Sequence, residues 1–425
     1  MGYKSFNIQG LIESQSEGSS KKSPLRYQQE SSFTFEEEHS MFSKKMGRRG
    51  FLGNFSSALL GVATSPLLRD LPPVFAEGKP SLEYRILGRT GLKVTAVGMG
   101  VMNCSDPGVL LRAFDLGINF YDTADCYMGG RNEELVGRTF EGKRTKVIIQ
   151  TKVHPNDEKK MRASVETSLR RLRTDYLDVL VWHNHHTAEE VSDLRLFEFM
   201  EKMKREGKAR FTGFSTHTRM ASLLKEAAKS NLHDVALVSY NFTHSKELRE
   251  AVALAAKAGI GVVAMKTQSG GYKKEKMGGL NPHQAALKYV LRDTNVATAV
   301  PGVTTIEQIE ECAAVMGNAL SLKDQKELKG YQAFLRGEIC TMCGGCIGEC
   351  PHGVFHQDLL RLVMYHEGYE QDRLIRQAVA EGALSQQIQA CLDCSACSVV
   401  CSRGLDIKRE MRSVQALVFS RRDRS

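Results

Sequence analysis

The sequence predicts a (β/α)8 TIM barrel, of class α/β, followed by a small, mainly helical metal-binding domain. Short apolar runs alternate with longer helical segments eight times across residues 81–335. Eight of the 11 cysteines crowd between Cys340 and Cys401, so the end of the chain is either a disulfide scaffold or a metal carrier. Composition agrees: 42% hydrophobic and 25% charged residues over 425 positions exclude a mostly disordered or polytopic membrane protein. A net charge of +9 is too modest at this length to point to nucleic acid.

Residues 1–76 read as a disordered stretch followed by a signal peptide. Residues 1–40 are polar and lack an apolar period. Lys44, Lys45, Arg48 and Arg49 then precede an apolar run from Phe55 to Leu68, with Val74 and Ala76 at the −3 and −1 positions of a cleavage site. The run is too short for a stable span, which takes about 20 apolar residues. Arg48-Arg49-Gly50-Phe51-Leu52 resembles a twin-arginine signal. That route exports folded, cofactor-loaded proteins, and predicts a periplasmic destination with no stable membrane span after cleavage. A basic amphipathic arm or an uncleaved anchor is the plainer alternative.

A hairpin opens the barrel, with Gly88–Gly91 between two apolar runs. The eight strands are read at Thr95–Val101, Asn119–Thr123, Lys146–Val153, Leu177–His183, Arg210–Ser215, Val235–Asn241, Gly261–Thr267 and Thr298–Val303. Most are apolar on both faces, as a parallel sheet covered by helices requires. Helices are read at Met161–Arg173, Asp193–Glu206 and Lys246–Ala258; in the first, Met161, Val165, Leu169 and Leu172 share one face. A doubly wound sheet is the competing fold, but Gly98 and Gly100 are not continued into G-x-G-x-x-G.

Barrel chemistry sits at the carboxyl ends of strands. Those ends carry Asp122 and Tyr127 (second), Lys152 (third), His183 (fourth), Ser215 (fifth), Asn241 (sixth) and Lys266 (seventh). A buried Lys beside an Asp makes an ion pair, and a Tyr beside that Lys is expected to have its phenol pKa lowered. It then becomes a proton donor to a carbonyl oxygen, which His183 can polarise. Each residue alone also reads as polar core packing. A Schiff base at Lys266, and zinc at His183, His185 and His186, are weaker readings; no further ligand at zinc spacing follows the three histidines.

Together these residues resemble the aldo/keto reductases. The resemblance spans about residues 82–320 and rests on Arg85–Gly91, Gly117–Ala124, Tyr127 five positions after Asp122, Asn132-Glu133, Thr151-Lys152, Asp178 to His183, and Val300-Pro301-Gly302 with Gln308 and Glu311 beyond. It implies a catalytic tetrad: Tyr127 as general acid/base, Lys152 to lower its pKa, Asp122 to hold Lys152, and His183 to orient the carbonyl. It further implies a nicotinamide cofactor extended across the barrel mouth, held by Ser215, Asn241, Lys266, Pro301, Gly302, Gln308 and Glu311. Lys266 would meet a cofactor phosphate or a substrate anion. The chain departs from the family pattern in having Thr216 after the strand-five Ser, Leu237 near the register of the strand-six Gln, and Cys312 where Asn is common. Thr304 stands where many members place a cation for a 2′-phosphate, so NAD and NADP both stay open.

The cysteines form two groups of one spacing: Cys340-x2-Cys343-x2-Cys346-x3-Cys350 and Cys391-x2-Cys394-x2-Cys397-x3-Cys401. This is bacterial ferredoxin spacing, in which the fourth Cys often serves the other cluster. It predicts two [4Fe–4S] clusters. Zinc ribbons pair C-x2-C units without the third x2 step. His356–Met364 and Gln371–Ala380 read as helices between the groups. The segment resembles the helical ferredoxin-type domain fused to some aldo/keto reductases. Basic residues Lys408, Arg409, Arg412, Arg421, Arg422 and Arg424 form a solvated face or a docking patch for an acidic electron partner.

The expected whole is an exported oxidoreductase moving hydride between nicotinamide and a small carbonyl or alcohol substrate, with clusters passing electrons to a redox partner protein. The alternative is a non-catalytic electron-transfer or redox-sensing module on a reused barrel. Hydride carries two electrons and each cluster one. A flavin-bearing partner must therefore intervene, or the clusters are structural.

Overall fold

The structure, a computed structural model, describes residues 81–269, 282–369, 371–380, 383–392, 394 and 397–419. The signal-peptide reading of residues 1–76 lies outside the described residues, as do Arg421, Arg422 and Arg424.

A hairpin, β1 (Tyr84–Ile86) with β2 (Lys93–Thr95), comes first. Eight parallel strands follow: β3 (Met99–Gly100), β4 (Phe120–Asp122), β5 (Ile148–Val153), β6 (Leu177–Trp182), β7 (Ala209–Thr216), β8 (Val235–Ser239), β9 (Gly261–Met265) and β10 (Val296–Ala299). Each pairs with its chain neighbours, and bridges from Val97 to Ala299 and from Gly100 to Gly302 close β10 onto β3. This is the (β/α)8 barrel that the alternation predicted.

Side-chain alternation divides the barrel into two apolar layers. Phe120, Val179, Val181, Val235, Leu237 and Val263 fill the interior together with Leu87, Leu92 and Val94 of the hairpin, which plugs one end. Tyr121, Leu180, Trp182, Ala236, Val238 and Val262 alternate with them and pack under the outer helices. The hairpin sits tightly: a Cβ on Gly88 (φ +52°) would lie 2.3 Å from the Gly261 nitrogen.

Helix Glu158–Leu172 shows the local logic. Asp157 caps it by accepting the Lys160 N–H at 2.9 Å, and Arg173, at φ 53°, ends it. Met161, Val165, Leu169 and Leu172 are its buried face, as their spacing predicted. Cutting Met161, Leu169 or Leu172 to Ala costs about 2–5 kcal/mol.

Two strand readings shift by more than two residues, while Lys146, Asn241 and Thr267 fall just outside their strands. Thr95–Val101 is not one strand: residues 93–95 pair back onto β1 before the chain enters the barrel at Met99. The eighth strand lies earlier than Thr298–Val303, because Pro301 has no N–H to continue a ladder.

The second domain has helices His356–Val363, Asp372–Ala380, Ala383–Leu392 and Ile407–Phe419, with a π-turn over Met364–Gly368. Its core includes Leu359, Leu362, Ile375, Ile388 and Val414. A two-residue ladder, β11 (Cys346–Ile347) with β12 (Val400–Cys401), joins the two cysteine groups.

Candidate active site and cysteine centres

Adjacent strand ends bring the four tetrad residues together. Lys152, on β5 and 1% exposed, donates from Nζ to Asp122 Oδ2 at 2.8 Å and to Tyr127 OH at 3.2 Å. Gln150 Nε2 donates to the other Asp122 oxygen at 2.7 Å, so both carboxylate oxygens are engaged. The Tyr127 and His183 rings meet edge to face at 5.8 Å. Behind them Thr123 donates to Asn132, and Thr151 to Glu133, which tie these strand ends to helix Arg131–Thr139.

The electrostatics correct one expectation. The Tyr127 phenol is pushed well above its ordinary pKa, first by burial and then by Asp122, against only partial relief from Arg361. The phenol therefore stays protonated, as a proton donor must. His183 is held well below its ordinary pKa by burial and by the charges of His154, Lys152 and Arg361, and is a neutral imidazole.

Asp122, Tyr127 and His183 line a cavity of about 770 Å³ at the barrel mouth, with Lys152 buried behind them. The cysteine-rich domain roofs it, contributing Asp358, Arg361, Tyr365 and Tyr369 to the walls. Asp358 accepts from Asn184 Nδ2 at 3.1 Å and pairs with His186 Nε2 at 2.6 Å. Arg361 reaches His217 Nδ1 at 3.0 Å. Burial opposes the Asp358 charge, but Arg361, His186 and Asn184 outweigh it and hold the carboxyl below its usual range. Lys266 lies 5.0 and 5.2 Å from the Tyr365 and Tyr369 rings. Burial, then Arg361 and Lys152, bring its ammonium down to about 7.

The three histidines considered for zinc do not converge. His185 turns to Phe214 and Glu190, and His186 to Asp358 and Phe355.

All 11 cysteines are free thiols, which removes the disulfide scaffold. The eight clustered ones gather into two sets of four that cross between the sequence groups. Cys340 lies in the field of Cys343, Cys346 and Cys401, and Cys391 in that of Cys350, Cys394 and Cys397. Cys346 faces Cys401 across the β11–β12 ladder. Four thiols converging twice, without disulfides, fit iron–sulfur ligation with exchanged fourth ligands.

The pattern described as "Aldo/keto reductase family" matches residues 107–278, and that described as "4Fe-4S dicluster domain" matches residues 338–405. The Bacillus subtilis protein named uncharacterized oxidoreductase YrpG is 31% identical over 222 residues, covering 45% of this chain and 68% of its own. The chain belongs to the aldo/keto reductase family. L-galactose dehydrogenase of Arabidopsis thaliana is 27% identical over 303 residues, 60% of this chain and 94% of its own. The holo form of aldo-keto reductase AKR11C1 from Bacillus halodurans superposes with a TM-score of 0.50 at 26% identity, covering 59% of this chain and 96% of that one. The chain is thus an oxidoreductase-type barrel of the aldo/keto reductase family joined to a 4Fe–4S ferredoxin-type domain.

Whether this aldo/keto reductase barrel fits a nicotinamide can be tested on its cavity. Lys266, Gly302, Gln308 and Glu311 line it, and a Cβ on Gly302 would meet nothing within 4 Å. The volume lies within the range of small-molecule sites, about 300–1,000 Å³. Ser215, Asn241 and Pro301 are not in the lining. Ser215 Oγ accepts from Asn184 N–H at 2.9 Å and donates to Trp182 O at 3.2 Å. Asn241 Nδ2 donates to Thr341 O at 3.1 Å, and Ser239 donates to Met342 O at 3.2 Å. The cavity accepts such a group along Lys266, Gly302, Gln308 and Glu311. The polar atoms expected to hold it on strands five and six, on Ser215 and Asn241, are already bound, the second to the cysteine-rich domain.

Sequence reasoning missed the roof, Asp358, Arg361, Tyr365 and Tyr369. Its one signal was Tyr365 and Tyr369 four apart, which place two aromatic rings on one helical face.

Proposed function

We propose that the chain interconverts a small carbonyl compound and its alcohol at Tyr127, exchanging hydride with NAD or NADP. The observation that carries this is buried Lys152 Nζ set between Asp122 and Tyr127 OH, with Asp122, Tyr127 and a neutral His183 lining one roofed cavity. A nicotinamide bound along Lys266, Gly302, Gln308 and Glu311 supplies the hydride. In reduction, Tyr127 gives its phenolic proton to the substrate oxygen. The charge left on the phenol is balanced by Lys152, which Asp122 fixes in place. His183, neutral, donates an N–H to the same oxygen and orients it. The roof keeps water from the exchange.

The eight cysteines would hold two [4Fe–4S] clusters, each passing one electron to or from a redox partner protein. Twin-arginine export to the periplasm completes the reading and rests on Arg48-Arg49 and the apolar run after them. Among the described residues no helix is long and apolar enough to cross a membrane. Outside the cytoplasm free nicotinamide is scarce, so the cofactor is held tightly and recycled in place.

The test is to purify the exported protein and assay bound iron, sulfide and nucleotide. About eight irons and a stoichiometric nicotinamide are expected. A protein without nucleotide that turns over only with added NADH or NADPH overturns the recycled cofactor. One that reduces no carbonyl with either overturns the hydride reading.

A further inference from the structure

Three neighbouring strand ends bring a second chemical group together beside the tetrad. Asp125 and Cys126 follow β4, His154 follows β5, and His183 follows β6. One ligand atom from each of the four residues lies within 4.8 Å of the others. Cys126 Sγ is 3.5 Å from His183 Nδ1, and Asp125 Oδ1 is 3.9 Å from His154 Nδ1. The two imidazole rings lie 4.6 Å apart between centroids. None of the four belongs to the two cysteine quartets. Their backbones are also fixed: Asp125 N–H donates to Lys152 O at 3.1 Å, and His183 N–H to Val153 O at 2.8 Å.

We propose that Asp125, Cys126, His154 and His183 form a binding site for one divalent transition-metal ion, with zinc preferred. A sulfur, two imidazole nitrogens and a carboxylate oxygen are a borderline-soft set that suits zinc and disfavours magnesium and calcium. All six edges lie within 4.8 Å, and two of them can be set against zinc geometry. Zinc bonds of about 2.3 Å to sulfur and about 2.0 Å to nitrogen put a tetrahedral sulfur–nitrogen edge near 3.6 Å. The Cys126–His183 edge of 3.5 Å already has that length. The Asp125–His154 edge must close by about half an ångström. His154 is at the rim, 43% exposed, where a small rotation of its ring closes it. On binding, the Cys126 thiol releases its proton to solvent, and the thiolate and carboxylate balance the two positive charges.

The site has a consequence for His183, which rests on the hydride reading above. A metal on Nδ1 leaves the ring proton on Nε2, so the tautomer that donates to the substrate oxygen is fixed. Four protein ligands make it a closed site, in which the ion positions His183 and does not meet substrate.

The experiment uses the full chain with its clusters in place. Zinc, and separately cobalt, are titrated against a chromophoric chelator. The wild type is compared with Cys126→Ser, His154→Gln and the double variant. Cluster absorbance reports that each variant is folded, and exposed His154→Gln serves where Cys126→Ser is unstable. Expected is one zinc or cobalt per chain beyond the clusters, a cobalt–thiolate absorption lost in Cys126→Ser, and at least tenfold weaker binding in either single variant. No uptake by the wild type, or uptake unchanged in the double variant, overturns the proposal. Tyr127→Phe keeps the uptake while losing turnover, so failure of the hydride reading and failure of the metal site are separate results.

Discussion

In the barrel, buried charge is met by opposite charge. Lys152 sits on Asp122 at 2.8 Å, and Asp178 takes Arg144 at 2.7 Å and Arg210 at 2.9 Å. In the cysteine-rich domain, eight thiols gather in two sets of four, on a small core and ladder strands only two residues long. The barrel has two continuous apolar layers and can fold on apolar burial. With clusters bound, the second domain would draw part of its stability from metal, as small metallo-domains do. The two meet through polar contacts: Asp358 to Asn184 and His186, Arg361 to His217, Thr341 and Met342 to strand six. We expect a roof held this way to depend on that metal, and the barrel beneath not to.

The largest expected effect follows directly. Cys346→Ser removes a ligand at the ladder between the two quartets. We expect loss of hydrogen-exchange protection across Leu359–Val363, with protection in β5 to β8 retained. Collapse of both regions would erase the distinction between them. The next effect stays inside the barrel. Tyr127→Phe removes the proton donor and leaves the roof, the core and the clusters untouched. Carbonyl turnover should fall by about 10²–10⁴ with no change in thermal stability. An unchanged rate would favour the non-catalytic electron-transfer module.

The pattern in the chain carried much of this, unevenly. Strand alternation located all eight barrel strands, because each must be apolar on both faces. It misplaced the ends at Thr95 and Val303, where pairing partners and Pro301 decide the ladder. Strand ends and the family resemblance named the tetrad, and ferredoxin spacing named the eight cysteines. None of these could show that Asn241 donates to Thr341, 100 positions away, or that Arg361 roofs His217. Such contacts have no period and no local spacing. The same limit hid the meeting of Cys126, His154 and His183, which three separate strands bring together.

A pH scan separates the regions by a smaller effect. His233 is buried in the barrel, where Nε2 meets Val191 O at 2.7 Å and the ring lies 4.9 Å from Phe214. Burial outweighs that hydrogen bond and the charge of Asp234, and brings its pKa down to about 4. Unfolded, the imidazole titrates near 6.5. Between these values the unfolded chain binds more protons, so stability is full above pH 6.5 and falls toward pH 4. The loss is about 3 kcal/mol from this residue. It should appear in the fluorescence of Trp182, the one tryptophan, buried in the barrel. His233→Gln should flatten the slope. An unchanged slope would assign the acid weakness to the barrel's other buried imidazoles, His185 and His244 among them, and acid unfolding that leaves Trp182 unmoved would place it in the cysteine-rich domain.

The smallest effect tests the join itself. Thr243 donates its single hydroxyl proton to Asn241 Oδ1 at 2.7 Å, and its oxygen lies 3.0 Å from the Thr341 hydroxyl. Thr341 must therefore be the donor of that second bond. Thr341→Val keeps the shape, removes the donor and leaves the Thr341 carbonyl, which Asn241 still reaches. Thr243 loses only an acceptor contact, so the cost should be about 1 kcal/mol. Because the bond crosses from barrel to roof, that loss should appear as easier opening of Leu359–Val363 in hydrogen exchange. Barrel unfolding followed by Trp182 should not move. If the midpoint of barrel unfolding falls instead, the roof is part of the barrel's cooperative unit, and metal loss would weaken both.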